Sequence, residues 1–245
     1  HTDTKMSSSN ANAFSVFRAG FPADLDTTAI DTDTGLRYSW RDLDRASAMV
    51  ANLFVDRGVS AGARIIIQRG PSVEAAVLRW ACLRGGWVGV PLDAIVPENW
   101  LVSVIQSTQA EVLVCSSAAM GVWSKRAFQA GTRHVFTLDD DRRGTLLDRA
   151  SHCSDVHEST PRQRQDPAIL VLDASGDSVC VTHGQLIEAL SAQDQNRNAR
   201  VGQDLLCLAA QQQALETTPA VRWRGDQVAF VAFGSGNQGF CDQVR

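Results

Sequence analysis

The chain reads as an α/β protein: a mostly parallel, layered sheet with helices on both faces. Three observations predict this. Short apolar runs such as Ile65-Ile66-Ile67 and Val112-Leu113-Val114 have the composition of strands buried on both sides. Segments of helical spacing separate them, and Gly or Pro stands at most of the junctions. The resulting strand–helix–strand rhythm is that of parallel strands joined by crossover helices.

Each element has its own local warrant. Ala13 to Arg18 reads as a short helix, followed by a turn over Pro22 to Thr27. Thr28-Ala29-Ile30 and Arg37-Tyr38-Ser39 are strand-like, with a turn rich in Asp, Thr and Gly between them. Ser39 is placed to cap a helix from Trp40 to Arg57, with Asp42 as the acidic partner three residues on, and Gly58 stops it. After the strand Arg64 to Gln68, Ser72 caps a helix that Gly85-Gly86 ends. Trp87 to Val90 is a short strand closed by Pro91, and Pro97-Glu98 opens a helix to Thr108. Further strands are expected at Glu111 to Cys115, His134 to Leu138, Ala168 to Leu172, Leu205 to Ala209 and Val228 to Phe233, with a helix from Gly184 to Ala192. Residues 1–12 read as a disordered tail, 13–165 as a first α/β subdomain and 166–245 as a partial second one. The polar stretch Ser151 to Asp166 reads as a linker or exposed loop.

Composition narrows the function classes. A formal net charge of −4 gives no basic field for nucleic acid or an anionic membrane, so neither is expected as a partner. Residues 1–12 lack an apolar core and no apolar run is long enough to span a bilayer, which predicts a cytoplasmic location. The six cysteines stand singly with no CxxC pair, so they are expected to be reduced small hydrophobes rather than metal ligands. Asp139-Asp140-Asp141 is expected to be a solvated turn, because adjacent acids on one turn rarely converge on one ion.

Several phrases carry a family resemblance. Phe21 to Ile30, Arg37 to Ser47, Ala81-Cys82-Leu83-Arg84-Gly85-Gly86, Val90-Pro91-Leu92, Gly144 to Asp148 and Asp166 to Leu170 keep one register. Together they resemble part of the large N-terminal domain of the adenylate-forming acyl-CoA synthetases, the AMP-binding superfamily, and within it the malonyl-CoA synthetases. The resemblance covers roughly residues 13–190. It implies ATP with Mg²⁺ and CoA as cofactors, and an acid that is adenylated and passed to CoA as the reaction.

The residues that would carry that chemistry are thin. Between Ile169 and Leu186 the family has a Thr/Ser/Gly-rich phosphate loop ending in Lys-Gly. Here Ser175 and Gly176 are the remnant, Ser178 and Thr182 complete the candidate nucleotide-binding set, and the stretch is several residues too short. Asp177 follows Gly176, and the only lysines are Lys5 and Lys125, so no ammonium stands here to meet a phosphate. His183, in His-Gly-Gln-Leu, matches a helix start in the family rather than a catalyst. Gln211-Gln212-Gln213 stands where a family histidine loop is expected. The resemblance also implies an acidic adenosine motif, carboxylate-gripping arginines and a mobile lysine-bearing domain, none of which has a match in this sequence. Gly234-Ser235-Gly236-Asn237-Gln238-Gly239 spells a dinucleotide motif, but no helix and second strand can follow it in the six remaining residues.

The sequence therefore predicts a truncated, degenerate relative of the malonyl-CoA synthetases, catalytically silent alone and acting as an accessory or interaction module. No catalytic residue and no metal ligand is assigned. Two other readings stay open: an adenylating unit completed by a partner chain, and a non-catalytic nucleotide or small-ligand binder. A second copy of the chain or a partner protein is expected to cover the face that the missing half would occupy.

Overall fold

The computed structural model describes residues 10–32, 35–68, 72–92, 97–172, 178–188 and 221–223. The expected strands at Leu205 to Ala209 and Val228 to Phe233, the Gly234 to Gly239 motif, Gln211 to Gln213 and the polar tail before Asn10 lie outside these residues. A six-stranded sheet in the order β6-β5-β3-β4-β7-β8 forms the centre. Its strands are β3 (Arg64–Gln68), β4 (Val88–Leu92), β5 (Val112–Cys115), β6 (His134–Thr137), β7 (Pro167–Leu172) and β8 (Ser178–Thr182). All neighbours run parallel except β7 and β8, which pair antiparallel. The α/β layering is as expected. A second, three-stranded sheet sets β1 (Thr28–Thr32) between β2 (Arg37–Ser39) and β9 (Val221–Trp223).

Alternation along the strands divides the core in two. Ile65, Ile67, Val112 and Val114 face the side covered by α1 (Ala13–Ala19), α2 (Trp40–Asp56), α3 (Val73–Gly85) and α6 (Thr145–Ala150). Ile66, Leu113 and Cys115 face the side covered by α4 (Glu98–Thr108) and α5 (Ser117–Gln129). Both faces are apolar because both are covered, which is why these strands read as continuous hydrophobic runs.

Helix boundaries follow local chemistry. The Ser39 hydroxyl accepts from the Asp42 amide at 3.1 Å and the Asp42 carboxylate accepts from the Ser39 amide at 2.9 Å, completing a capping box on α2. Ser72 caps α3 by accepting from the Ala75 amide at 3.1 Å. Gly58 and Gly86 follow their helices in the left-handed region, at φ 68° and 71°. Strand β4 runs through Pro91 to Leu92, two residues beyond the expected end, because the sheet continues around it. Periodicity does not signal α5: only Trp123 and Ala127 of that helix are buried, and Ser116 caps it at 3.2 Å from the Ala119 amide.

Two interactions hold the α1–α3 side together. The phrase residues Phe21 and Trp40 pack with Phe14 and Phe17 around Trp80, at centroid distances between 4.8 and 6.4 Å. Beside them, Asp44 of α2 takes a bidentate contact from Arg18, with Nη2 at 2.8 Å, and a second from the buried Arg84 of α3. The Arg84 guanidinium also lies 4.4 Å from the Phe14 ring centroid and donates to the His157 carbonyl at 3.0 Å. The stretch 151–166 has no regular structure but is tied down. Asn52 donates to the Ser154 and Val156 carbonyls, Arg45 pairs with Asp155, and the Thr160 amide donates to the Arg84 carbonyl at 2.8 Å.

An apolar recess lies between α3 and the sheet, lined by Ile67, Cys82, Leu83, Gly89, Pro91 and Ile169. Burial pushes the Cys82 thiol up to about 12, so it offers no thiolate nucleophile.

Two stability changes are expected. Asp44→Asn leaves Arg84 buried without its counter-charge and should cost about 3 to 5 kcal/mol, read as a lower urea midpoint at unchanged slope. Gly89→Ala should stabilise by about 0.5 to 1 kcal/mol, because a Cβ there meets only Ile67 Cδ1, at an ordinary 3.7 Å, and removes backbone freedom from the unfolded chain. A fall in melting temperature for Gly89→Ala would contradict the packing described.

Candidate functional site

Strand order fixes where a site can form. From β3 the chain lays β4 on one side, then crosses back to lay β5 on the other. With right-handed crossovers the reversal puts α3 and α4 on opposite faces, and open sheets of this kind take ligands outside the strand ends at that point. The described groups at this edge bind one another. The Glu74 carboxylate accepts from the Arg142 amide at 2.9 Å. The Arg142 side chain donates from Nε to the Tyr38 hydroxyl at 3.2 Å and lies over the Tyr38 ring at 4.6 Å. Burial raises the Tyr38 hydroxyl above its ordinary range, against the opposing bond from Arg142.

Asp141 and Arg142 hold left-handed backbone, at φ 57° and 63°, in the turn read as solvated. Asp140 and Asp141 are exposed, as that reading requires. Asp139 is not: its carboxylate accepts from the Ser117 amide at 2.9 Å and from the Ser117 hydroxyl, tying the turn to the start of α5. Among the described residues no cluster of three or more His, Cys, Asp or Glu could hold a metal ion.

The phosphate-loop remnant sits on the β7–β8 hairpin. Registered pairs run from Ile169↔Val181 to Leu172↔Ser178, so five residues, 173–177, join the two strands. Ser175 and Gly176 lie outside the described residues. Ser178 is the exposed first residue of β8, and Thr182 is its last. Strand β8 is the element of this hairpin that sequence reading missed. Its signal was present in the alternation Val179, Val181 against Ser178, Cys180, Thr182, in a β-branched composition.

The Thr182 hydroxyl is already engaged. It accepts from the Gln185 amide at 3.3 Å, while Gln185 Oε1 accepts from the Thr182 amide at 2.9 Å. This reciprocal pair caps α7, helical over 183–188. Gln185 is therefore a part of the site that motif comparison did not single out, although its spacing from Thr182 was the available cue.

His183 is fully buried, and its role is structural, as its place at a helix start implies. Its Nδ1 accepts from the Ala13 amide at 3.0 Å, and its own amide donates to the Asp166 carbonyl at 3.0 Å. Gly184 lies so close to the 163–166 segment that a Cβ would meet the Arg164 carbonyl oxygen at 2.9 Å, so no larger residue fits without moving backbone. The His-Gly phrase is thus a packing requirement.

For ATP, no lysine stands among the described residues beside the hairpin to meet a triphosphate. The hairpin allots only five residues between paired strands, two of them Asp173 and Asp177, and no lysine stands among them. The one hydroxyl at the helix start is a cap. No step of an adenylation can be derived through these groups.

Comparison with known proteins agrees with the architecture. A family model described as AMP-binding enzyme matches residues 19–239. The structure resembles apo MatB from Rhodopseudomonas palustris with a TM-score of 0.69 and 29% identity, over 77% of this chain and 37% of that one. A benzoate CoA ligase from Burkholderia xenovorans LB400 shares the fold at a TM-score of 0.60 and 18% identity, over 71% of this chain and 35% of that one. The medium-chain fatty-acid–CoA ligase of Escherichia coli K12 is 34% identical over 87 residues, which is 36% of this chain and 15% of that protein. The chain thus spans about a third of the length of the matched structures. Its parallel sheet, its antiparallel β7–β8 hairpin at the phosphate-loop position and the family match over nearly its whole length lead to one conclusion: this chain belongs to the AMP-binding, adenylate-forming enzyme family.

Proposed function

We propose that this chain is the sheet-bearing portion of an acyl-CoA ligase-type protein, does not activate an acid on its own, and works as an accessory or interaction module beside a partner chain. The observation that carries this reading is the Leu172↔Ser178 register. Adenylation needs the pyrophosphate leaving group held by converging amide donors and a cation. A five-residue connection bearing Asp173 and Asp177 supplies too few donors and the wrong charge. A carboxylate about 4 Å from a phosphate oxygen repels it by roughly 4 kcal/mol at a near-surface dielectric. The burial of His183 supports the same reading, since its ring cannot turn to a ligand without releasing α1.

Among the described residues no helix is long and apolar enough to cross a membrane. The partner in this reading is a protein, with a second copy of this chain as one case.

The test is ATP–pyrophosphate exchange with purified chain, Mg²⁺ and malonate, a medium-chain fatty acid or benzoate. We expect no exchange above the protein-free blank with any of the three. Acid-dependent exchange would overturn the proposal. Calorimetric titration with ATP and Mg²⁺ is expected to show no saturable heat at millimolar nucleotide. Saturable binding without exchange would replace the proposal with a nucleotide-binding role.

A further inference from the structure

His183 joins three segments that are distant in sequence. Its ring is fully buried where the first turn of α1, the 162–166 segment and the start of α7 meet. On the α1 side every donor of the first turn is satisfied: the Ala13 amide by His183 Nδ1, the Phe14 amide by the Asn12 side chain at 2.9 Å, and the Ser15 amide by the Asn12 carbonyl at 3.0 Å. Only the bond from Ala13 runs to a group that can gain a proton. Because Nδ1 accepts, the neutral ring carries its hydrogen on Nε2, which is buried and without a hydrogen-bond partner among the described residues.

We propose that His183 is an acid-sensitive latch: a proton on Nδ1 turns the acceptor of the Ala13 amide into a donor and releases α1 from the start of α7. Two facing donors cannot bond, and a buried imidazolium would have no acceptor at Nδ1. The groups that face the ring leave the latch closed at neutral pH. Arg162 repels a charge on it and Asp166 attracts one, while burial outweighs both and holds the imidazole down at about 4. The other charges on the packed elements are paired elsewhere: Arg18 of α1 and Arg84 of α3 with Asp44, and Arg164 with Glu188 of α7. Release would also uncover the Phe14 and Phe17 faces that pack on Trp80.

The sign follows from the depressed value. The released state binds a proton near the ordinary histidine range and the docked state near 4, so docking is at full strength above about 6.5 and is lost as pH falls towards 4. From these two values the released population should rise roughly 20-fold between pH 7 and pH 5.

Hydrogen–deuterium exchange of the full chain, corrected for intrinsic rates, tests this. Protection of peptides covering residues 11–21 should fall by that factor between pH 7 and pH 5 while peptides covering 64–68 and 112–115 hold. His183→Asn keeps an acceptor near the Nδ1 position and does not titrate, so it should abolish the pH dependence. The proposal is overturned by equal pH dependence in wild type and variant, or by loss of protection in 64–68 in step with 11–21. Should the variant not fold, NMR of the wild type decides. The Ala13 amide and the His183 ring must then titrate with one midpoint, and separate midpoints sink the latch.

Discussion

The C-terminal end of α3 is the knot on which the rest of this structure depends. Arg84 is buried there, and a guanidinium so placed is tolerated only with a counter-charge beside it. Asp44 of α2 supplies the charge, the His157 carbonyl accepts one donor, and the Phe14 ring covers the planar face. The carbonyls of the same turn are taken as well: Asn12 Nδ2 donates to Leu83 at 2.9 Å and to Arg84 at 3.3 Å, and also to Thr160 at 2.8 Å. One helix end thus fixes α1, α2 and the irregular segment before β7. That segment leads the chain across the molecule so that β7 enters the sheet beside β4.

From this anchorage the position of the hairpin follows. Strand β7 is parallel to β4 and covered on both faces, whereas β8 returns beside it and presents Ser178 and Cys180 to solvent. The family's phosphate chemistry belongs to the connection between two such strands. Here the pairing closes over a short connection, and the groups after it serve the start of α7 instead. There the Thr182 hydroxyl caps a helix, and the His183 imidazole accepts from the Ala13 amide of α1.

Much of the scaffold was legible in the residues because local and global preferences agree. Ser39 with Asp42, Ser72, Gly58 and Gly86 mark helix ends by chemistry that acts over three or four residues, and the structure keeps each of them. Several residues of the phrases that match the family serve packing: Phe21 and Trp40 in the aromatic cluster, Gly184 against the Arg164 carbonyl. Segments whose stability comes from the sheet rather than from themselves were not legible. Helix α5 buries too little to show a stripe, and α6 is only six residues long. Strand β8 is short and lies close to the helix start that dominates its neighbourhood, so its alternation was easily overlooked.

By itself the sequence determined the α/β class, the family, the capped helix ends and the lack of a lysine beside Ser175-Gly176, because each depends on residue type and short spacing. Tertiary structure alone decided what His183 and Arg84 do. Each is a polar group whose role depends on which acceptor or donor the fold brings to it from far along the chain: Ala13 for His183, and Asp44 and His157 for Arg84. Thr182 stands apart from these two, since its partner Gln185 is only three residues on. A buried polar atom must be satisfied by whatever is near it, and nearness across 170 residues is not written in any local pattern.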